Sequence, residues 1–393
     1  MPTITQRRFA LYALFFVPGL SIASWVTRTP AIRDHLAAST AQMGLILVGL
    51  SIGSMIGILG SGPLVARFGA RTVIVGGTLG IIVAVPAVGL GAALSAGWLV
   101  TLGLFLFGLG MGCGEVAMNV EGADVEREID RPVLPVLHGC FSLGTVVGAL
   151  AGIGFTAVEF PVVWHLALVG AAALAVFAFA IPRIPDGTGR TRHDGQGEVV
   201  RGPAPWRDSR LLLIGGVILA MALAEGAAND WLPLLMVDGH GLDPALGSAV
   251  YTVFAAAMTV GRFAGVPVLR RWGRVKVLAA SALSAIAGLG IVAGTDHQLL
   301  AGAAVILWGL GAALGFPVAL SAAGDSGPDA AARVALVSII GYVAFLAGPP
   351  VLGFLGETVG LRGAMLVPLG FLAVAVFLTP AAGDRRSPVG AGG

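Results

Sequence analysis

The run Leu104-Phe-Leu-Phe-Gly-Leu-Gly-Met-Gly-Cys-Gly114 leads directly into Glu115-Val-Ala-Met-Asn119. It places a carboxylate inside a stretch otherwise suited to crossing a membrane. A short, highly charged segment follows, Glu121 to Arg131, then His138 and a second apolar run beginning Phe141-Ser-Leu-Gly144. An acid at the centre of a spanning helix costs roughly 2.5–3.5 kcal/mol on insertion scales, so keeping one requires a return. Glu115 reads as a proton carrier or a ligand for a polar solute. The bland alternative is a structural carboxylate hydrogen-bonded to a neighbouring helix. Asn119, four residues on, shares its helix face.

The rest of the chain is of the same kind. Of 393 residues, 56% are hydrophobic and 11% charged, against about 25% charged in a soluble domain; only a polytopic membrane protein fits. The net charge of +2 carries no nucleic-acid signature. Cys113 and Cys140 lie in or beside apolar runs and read as small packing residues, with neither a disulfide framework nor a metal spacing between them. Met1 to Arg8 followed by an apolar run imitates a signal peptide. Similar runs recur to the end of the chain, however, so this one is taken as the first spanning helix.

A spanning helix needs about 20 predominantly apolar residues. Twelve runs qualify: 9–28, 42–65, 72–94, 97–120, 137–158, 161–181, 211–235, 246–268, 275–294, 298–322, 334–355 and 361–380. The expected fold is therefore all-α, with twelve transmembrane helices in two six-helix bundles, residues 1–181 and 210–393. A polar linker rich in Gly, Pro and Arg at 182–209 joins them. Of the 23 Lys and Arg, 19 fall on the side of the N-terminus, Arg28, Arg33 and Arg362 on the other, and Arg262 within a span. That bias places both termini and the linker on the cytoplasmic side of a plasma or inner membrane.

The halves resemble each other. Arg67-Phe-Gly69 after the second span is matched by Arg271-Trp-Gly273 after the eighth, and Phe107-Gly-Leu-Gly in the fourth by Trp308-Gly-Leu-Gly in the tenth. The near-equal offsets point to parallel repeats about an axis along the membrane normal. Gly49, Gly53 and Gly57 in the second span, and Gly144, Gly148 and Gly152 in the fifth, form stripes that let helix backbones approach closely. The repeat mate of Glu115 is Phe316, so packing of the repeat does not require the acid.

The seventh span offers Glu225 and Asn229 on one face, with Asp230 and Trp231 beside them. Glu225 is a candidate cavity residue. Asp230 is either an interfacial structural group or a solute contact. His138 opens the fifth span, titrates near neutral pH, and either relays protons with Glu115 or anchors the helix at the interface. Trp164 and His165 read as aromatic-belt residues. Arg28, near Trp25, either snorkels or reaches back to an anionic or hydroxylated solute; Arg262 either snorkels or pairs with an acid. Asn119, Asn229, Trp25, Arg28, Asp230 and Trp231 are the candidate solute contacts. The chain has no phosphate loop, no paired-histidine metal site and no nucleophile with a base. It does not read as an enzyme, no cofactor is expected, and any active transport must draw on an ion gradient.

Over nearly its whole length the chain resembles the major facilitator superfamily. Gly62-Pro-Leu-Val-Ala-Arg67-Phe-Gly69-Ala-Arg71 is similar to that superfamily's loop motif, with Arg271 and Gly273 in the second copy. Ala66 stands where the motif usually has an acid, and the second copy lacks the acid too. Within the superfamily, three segments resemble the fucose-permease-like and YbjJ-like branch. They are Gly114-Glu115-Val-Ala-Met-Asn119 with His138-Gly-Cys-Phe-Ser-Leu-Gly144, then Glu225-Gly-Ala-Ala-Asn-Asp230-Trp231, and Gly261-Arg262-Phe-Ala-Gly265. The resemblance implies a coupling-proton role for Glu115. The branch's second acid, in the first span, has no counterpart between Phe9 and Arg33, and Glu225 is the candidate substitute. The expected function is proton-coupled symport of a small polar or sugar-like solute by one chain acting as a monomer in the bilayer. The alternatives are efflux antiport of amphipathic compounds and a non-transporting receptor or scaffold.

Overall fold

The computed structural model describes residues 2–129, 133–190, 205–327 and 330–383. Residues 191–204 of the expected linker, Arg131, and the C-terminal Arg385 and Arg386 lie outside them.

Helix α1 (Ile4–Val26) and helix α3 (Thr40–Phe68) each begin with a reciprocal cap, Thr3 with Gln6 and Ser39 with Gln42, which satisfies two otherwise orphaned N–H groups per helix. Between them lies α2 (Thr29–Leu36), ended by Ala37 in the left-handed region at φ 46°. Then come α4 (Ala70–Ala93), α5 (Gly97–Ile129), α6 (Leu134–Ala157) and α7 (Val162–Ala180). The second half contains α8 (Ser209–Leu234), closed by a π-helical turn at Leu235–Gly239, and α9 (Pro244–Gly294), bent at Gly273. It continues with α10 (Gln298–Gly324), α11 (Ala330–Ala364), bent at Gly360, and α12 (Leu366–Leu378). Among the described residues, eleven helical stretches are long and apolar enough to cross a membrane, α9 supplying two of them, Pro244–Gly265 and Pro267–Gly294. The twelfth expected span starts within α11, beyond Gly360, and continues through the shorter apolar stretch Leu366–Ala382.

Packing groups the chain into two compact units. One comprises Met1–Gly195, Asp230–Thr252 and Pro349–Leu361; the other comprises Gln196–Asn229, Val253–Gly348 and Arg362–Gly393. In the first, segments of the second half join the first half. Arg33 pairs with Asp238, Ser248 donates to the Thr27 carbonyl at 2.7 Å, and the Ala41 amide donates to Glu357 at 3.1 Å. Gly44 makes backbone contact with Pro349 and Gly353 that a Cβ would disrupt.

The charged stretch from Glu121 corrects an expectation. Its charge density suggests a segment between spans, but α5 runs unbroken to Ile129. Glu121, Asp124 and Glu128 fall on one helix face, and all three accept from Arg7 of α1, Glu128 at 3.3 Å. Arg7 and Glu121 are buried, at 6% and 0% exposure. On another face, Glu126 accepts the amides of Val133 and Leu134 at 2.8 and 3.1 Å and so caps α6. The extension thus ties down both α1 and α6.

The repeat is visible in the packing. A Cβ at Gly110 would lie 2.5 Å from the Gly77 carbonyl oxygen; one at Gly311 would lie 2.6 Å from that of Ser281. Gly108 abuts the Leu50 carbonyl, and Gly309 abuts that of Phe254. Each contact in the second half sits at the position equivalent to its mate in the first. Gly69 (φ 85°, ψ 157°) and Gly273 (φ 75°, ψ 165°) also adopt the same conformation, one that side-chain-bearing residues essentially avoid. Gly69→Ala is expected to destabilise the protein by about 1–3 kcal/mol, read as a lowered thermal unfolding midpoint in detergent.

Candidate functional site

The direction of Glu115 is set by glycines. Gly110 meets the backbone of α4, while Gly108 and Gly112 meet that of α3, where a Cβ on Gly112 would lie 2.7 Å from the Ser54 carbonyl oxygen. The Cys113 thiol donates to the Gly57 carbonyl at 3.2 Å. These contacts fix α5 about its own axis. Glu115 and Asn119 are both half-buried on the resulting face. His138 is exposed on the first turns of α6, with its ring edge-on to Phe15 at 5.4 Å.

On α8, Glu225 and Asn229 are half-buried. Nη2 of Arg262, on α9, donates to Oε1 of Glu225 at 3.1 Å, which settles Arg262 as an ion-pair partner rather than a snorkelling residue. Next to Glu225, the Ala224 carbonyl accepts from the Trp308 indole at 3.1 Å. Asp230 and Trp231 are buried, and the Trp231 ring packs on Gly353.

Trp25 is 1% exposed and Arg28 4%. The Arg28 guanidinium is buried against the end of α6 and the turn that follows it, donating to Thr156 Oγ1 at 3.2 Å and to the Phe160 carbonyl at 2.5 Å. No carboxylate pairs with it among the described residues. His165 overturns its belt assignment. It is fully buried against the Phe155 ring at 4.7 Å, whereas Trp164 is 62% exposed, as a belt residue should be. Consecutive helical residues point about 100° apart, so one belt cannot hold both.

The loop motif finds its missing acid elsewhere. Arg71 pairs with Asp186 at 2.7 Å, the Ala70 amide donates to the Thr188 carbonyl at 2.8 Å, and Arg190 donates to the Phe68 carbonyl at 2.9 Å. Residues just after α7 therefore cover the Gly69 turn. Arg67 lies over the Phe68 ring at 5.1 Å, and Gly62 faces open space. In the second copy, Arg271 is exposed and Arg274 pairs with Asp325. Neither Asp186 nor Asp325 could be found from the motif, since both lie outside it. Among the described residues, no cluster of His, Cys, Asp and Glu could hold a metal ion.

Long apolar helices in two internally repeated sets, with a few interior carboxylates, define a polytopic membrane protein. The family model for the Major Facilitator Superfamily matches residues 9–335 and 232–392. An uncharacterised MFS-type transporter of Yersinia pestis is 31% identical over 98% of this chain and 96% of its own length. The chain belongs to the Major Facilitator Superfamily; its relatives are transporters, not enzymes. Among solved structures, the nucleoside transporter NupG is similar with a TM-score of 0.74 at 14% identity, over 95% of this chain and 98% of that one. A variant of the E. coli fucose:proton symporter FucP is similar with a TM-score of 0.65 at 18% identity, over 96% and 98%. These last two likenesses establish the fold.

Proposed function

We propose that this transporter is a proton-coupled symporter of a small polar solute, working by alternating access, with Glu115 as the carrier of the coupling proton. One observation carries the reading: Glu115 is a half-buried acid inside an apolar span, with Asn119 one turn away on the same face. A carboxyl group is a side chain that can take up a proton and give it back. A coupling ion acts only by binding the two states differently, and a charge that appears and disappears within a span does so. Glu225, whose carboxylate accepts from Arg262, is the second candidate for that proton. The segment resemblance to the fucose-permease-like branch and the FucP fold support symport. His138 is the candidate relay to Glu115; Asn119, Asn229, Trp25, Arg28, Asp230 and Trp231 are candidate solute contacts. In this reading both termini are cytoplasmic, the chain works as a monomer, and the proton gradient takes the place of any cofactor.

The test is flux of a metabolite and drug panel into proteoliposomes under an imposed pH gradient. Accumulation of at least one polar solute is expected when the lumen is alkaline, with collapse on adding a protonophore. Accumulation only under the reverse gradient would make the protein an antiporter.

A further inference from the structure

We infer that Arg262 is the docking point for an anionic group on the transported solute, and that Glu225 is the resident counterion which that group displaces. The inference rests on the transport reading above and narrows its solute to a small organic anion. Four observations carry it. Helix α8 belongs to the most buried span, with 72% of its apolar window inside the protein, so a partner reaching Glu225 points to the bundle interior rather than to lipid. Ionisable groups within spans face the interior or a watery path. The pair is unequal: the Arg262 side chain is 38% exposed and that of Glu225 14%, so the pair's more accessible side is cationic. Only Nη2 of the guanidinium is used; Nε and Nη1 have no partner among the described residues. That leaves free the edge that takes a carboxylate in a two-point fork. Among the described residues, no other carboxylate pairs with Arg262. On either side of it along α9, Gly261 and Gly265 meet Leu310, Ala313 and Leu314 of α10, none of which titrates.

An ion pair that merely stabilised the bundle would have its charges matched and shielded. This one is open on its donor side, and a carboxylate arriving there exchanges one anionic partner for another. A neutral solute would have to leave the pair intact, and would gain less from Arg262.

The test is thermal stabilisation of the purified protein by matched probes: glucuronate against glucose, gluconate against sorbitol, benzoate against benzyl alcohol. At least one carboxylate is expected to stabilise the wild type more than its neutral mate. Arg262→Gln should weaken that binding by roughly ten- to a hundredfold, the factor carried by hydrogen bonds to a charged group. Arg262→Lys should retain part of it. Glu225→Gln removes the competitor and should bind the same carboxylate at least as tightly as the wild type does. If Arg262→Gln fails to fold, the Lys and Glu225 variants carry the test. Stabilisation by no carboxylate, equal stabilisation by the neutral mates, undiminished binding in Arg262→Gln or lost binding in Glu225→Gln would each overturn the inference. Proton-driven flux of a neutral solute by Arg262→Gln would do so while leaving the transport reading standing; a wild type that moves nothing would remove both.

Discussion

Glu115→Gln is expected to abolish uphill accumulation while preserving exchange of solute across the membrane. Glutamine keeps the shape and hydrogen-bonding reach of a protonated glutamate but cannot release a proton. The protein should still bind solute and reorient when loaded, so counterflow between labelled and unlabelled solute should proceed at a rate comparable to wild type. What disappears is the link between the proton gradient and direction. The concentration ratio at steady state should fall to about one, whereas a single proton per solute sustains about tenfold per pH unit, since each 1.36 kcal/mol is a factor of ten. Loss of both activities would point instead to the structural reading, in which the carboxylate holds α5 to a neighbour. Glu115→Asp separates the two further, because it keeps the titratable group.

Glu121→Ala should be the most damaging single change to stability. It leaves Arg7, 6% exposed, without its most buried partner. Removing one member of a buried ion pair costs about 3–5 kcal/mol, because the other charge is then buried and uncompensated. Asp124 and Glu128 also reach Arg7, but their side chains are 35% and 58% exposed and offer a more hydrated, weaker attraction. The expected readout is a lower thermal midpoint and early loss of the monodisperse peak in detergent. Replacing both charges, Arg7→Leu with Glu121→Leu, should recover most of the loss, since similarly shaped apolar pairs often substitute well for buried ions. A double variant no more stable than Glu121→Ala would mean that the pair is not the source of the effect.

How much of this was readable in advance follows from the range of each signal. The spans were legible because length and hydropathy are local, and the repeat because its glycines recur at nearly one offset. Those glycines proved to be backbone contacts at matching places, Gly110 on Gly77 and Gly311 on Ser281. The pair Glu225–Arg262 was half legible: each stands out as a charge within a span, and an arginine there must either snorkel or pair with an acid. Arg7 and Glu121 were not legible as a pair. They are 114 residues apart, and a dense run of charges after an apolar stretch looks like a loop until a cation from another helix neutralises it. Short α2 was missed because eight residues with Arg, Asp and His have no apolar period to detect. The loop motif had lost its acid, and the replacements Asp186 and Asp325 reach their arginines only in three dimensions. His165 was misread because its neighbour Trp164 fits the belt so well.

The central claim is that position 115 takes up and releases the proton that drives solute movement. Its most direct test is the external pH of lightly buffered proteoliposomes when a transported solute is added without any imposed gradient. The account predicts alkalinisation outside as proton and solute enter together through the wild type, and none through Glu115→Gln despite continuing exchange. Alkalinisation of equal size through Glu115→Gln, or solute entry through the wild type with no proton movement, would contradict it.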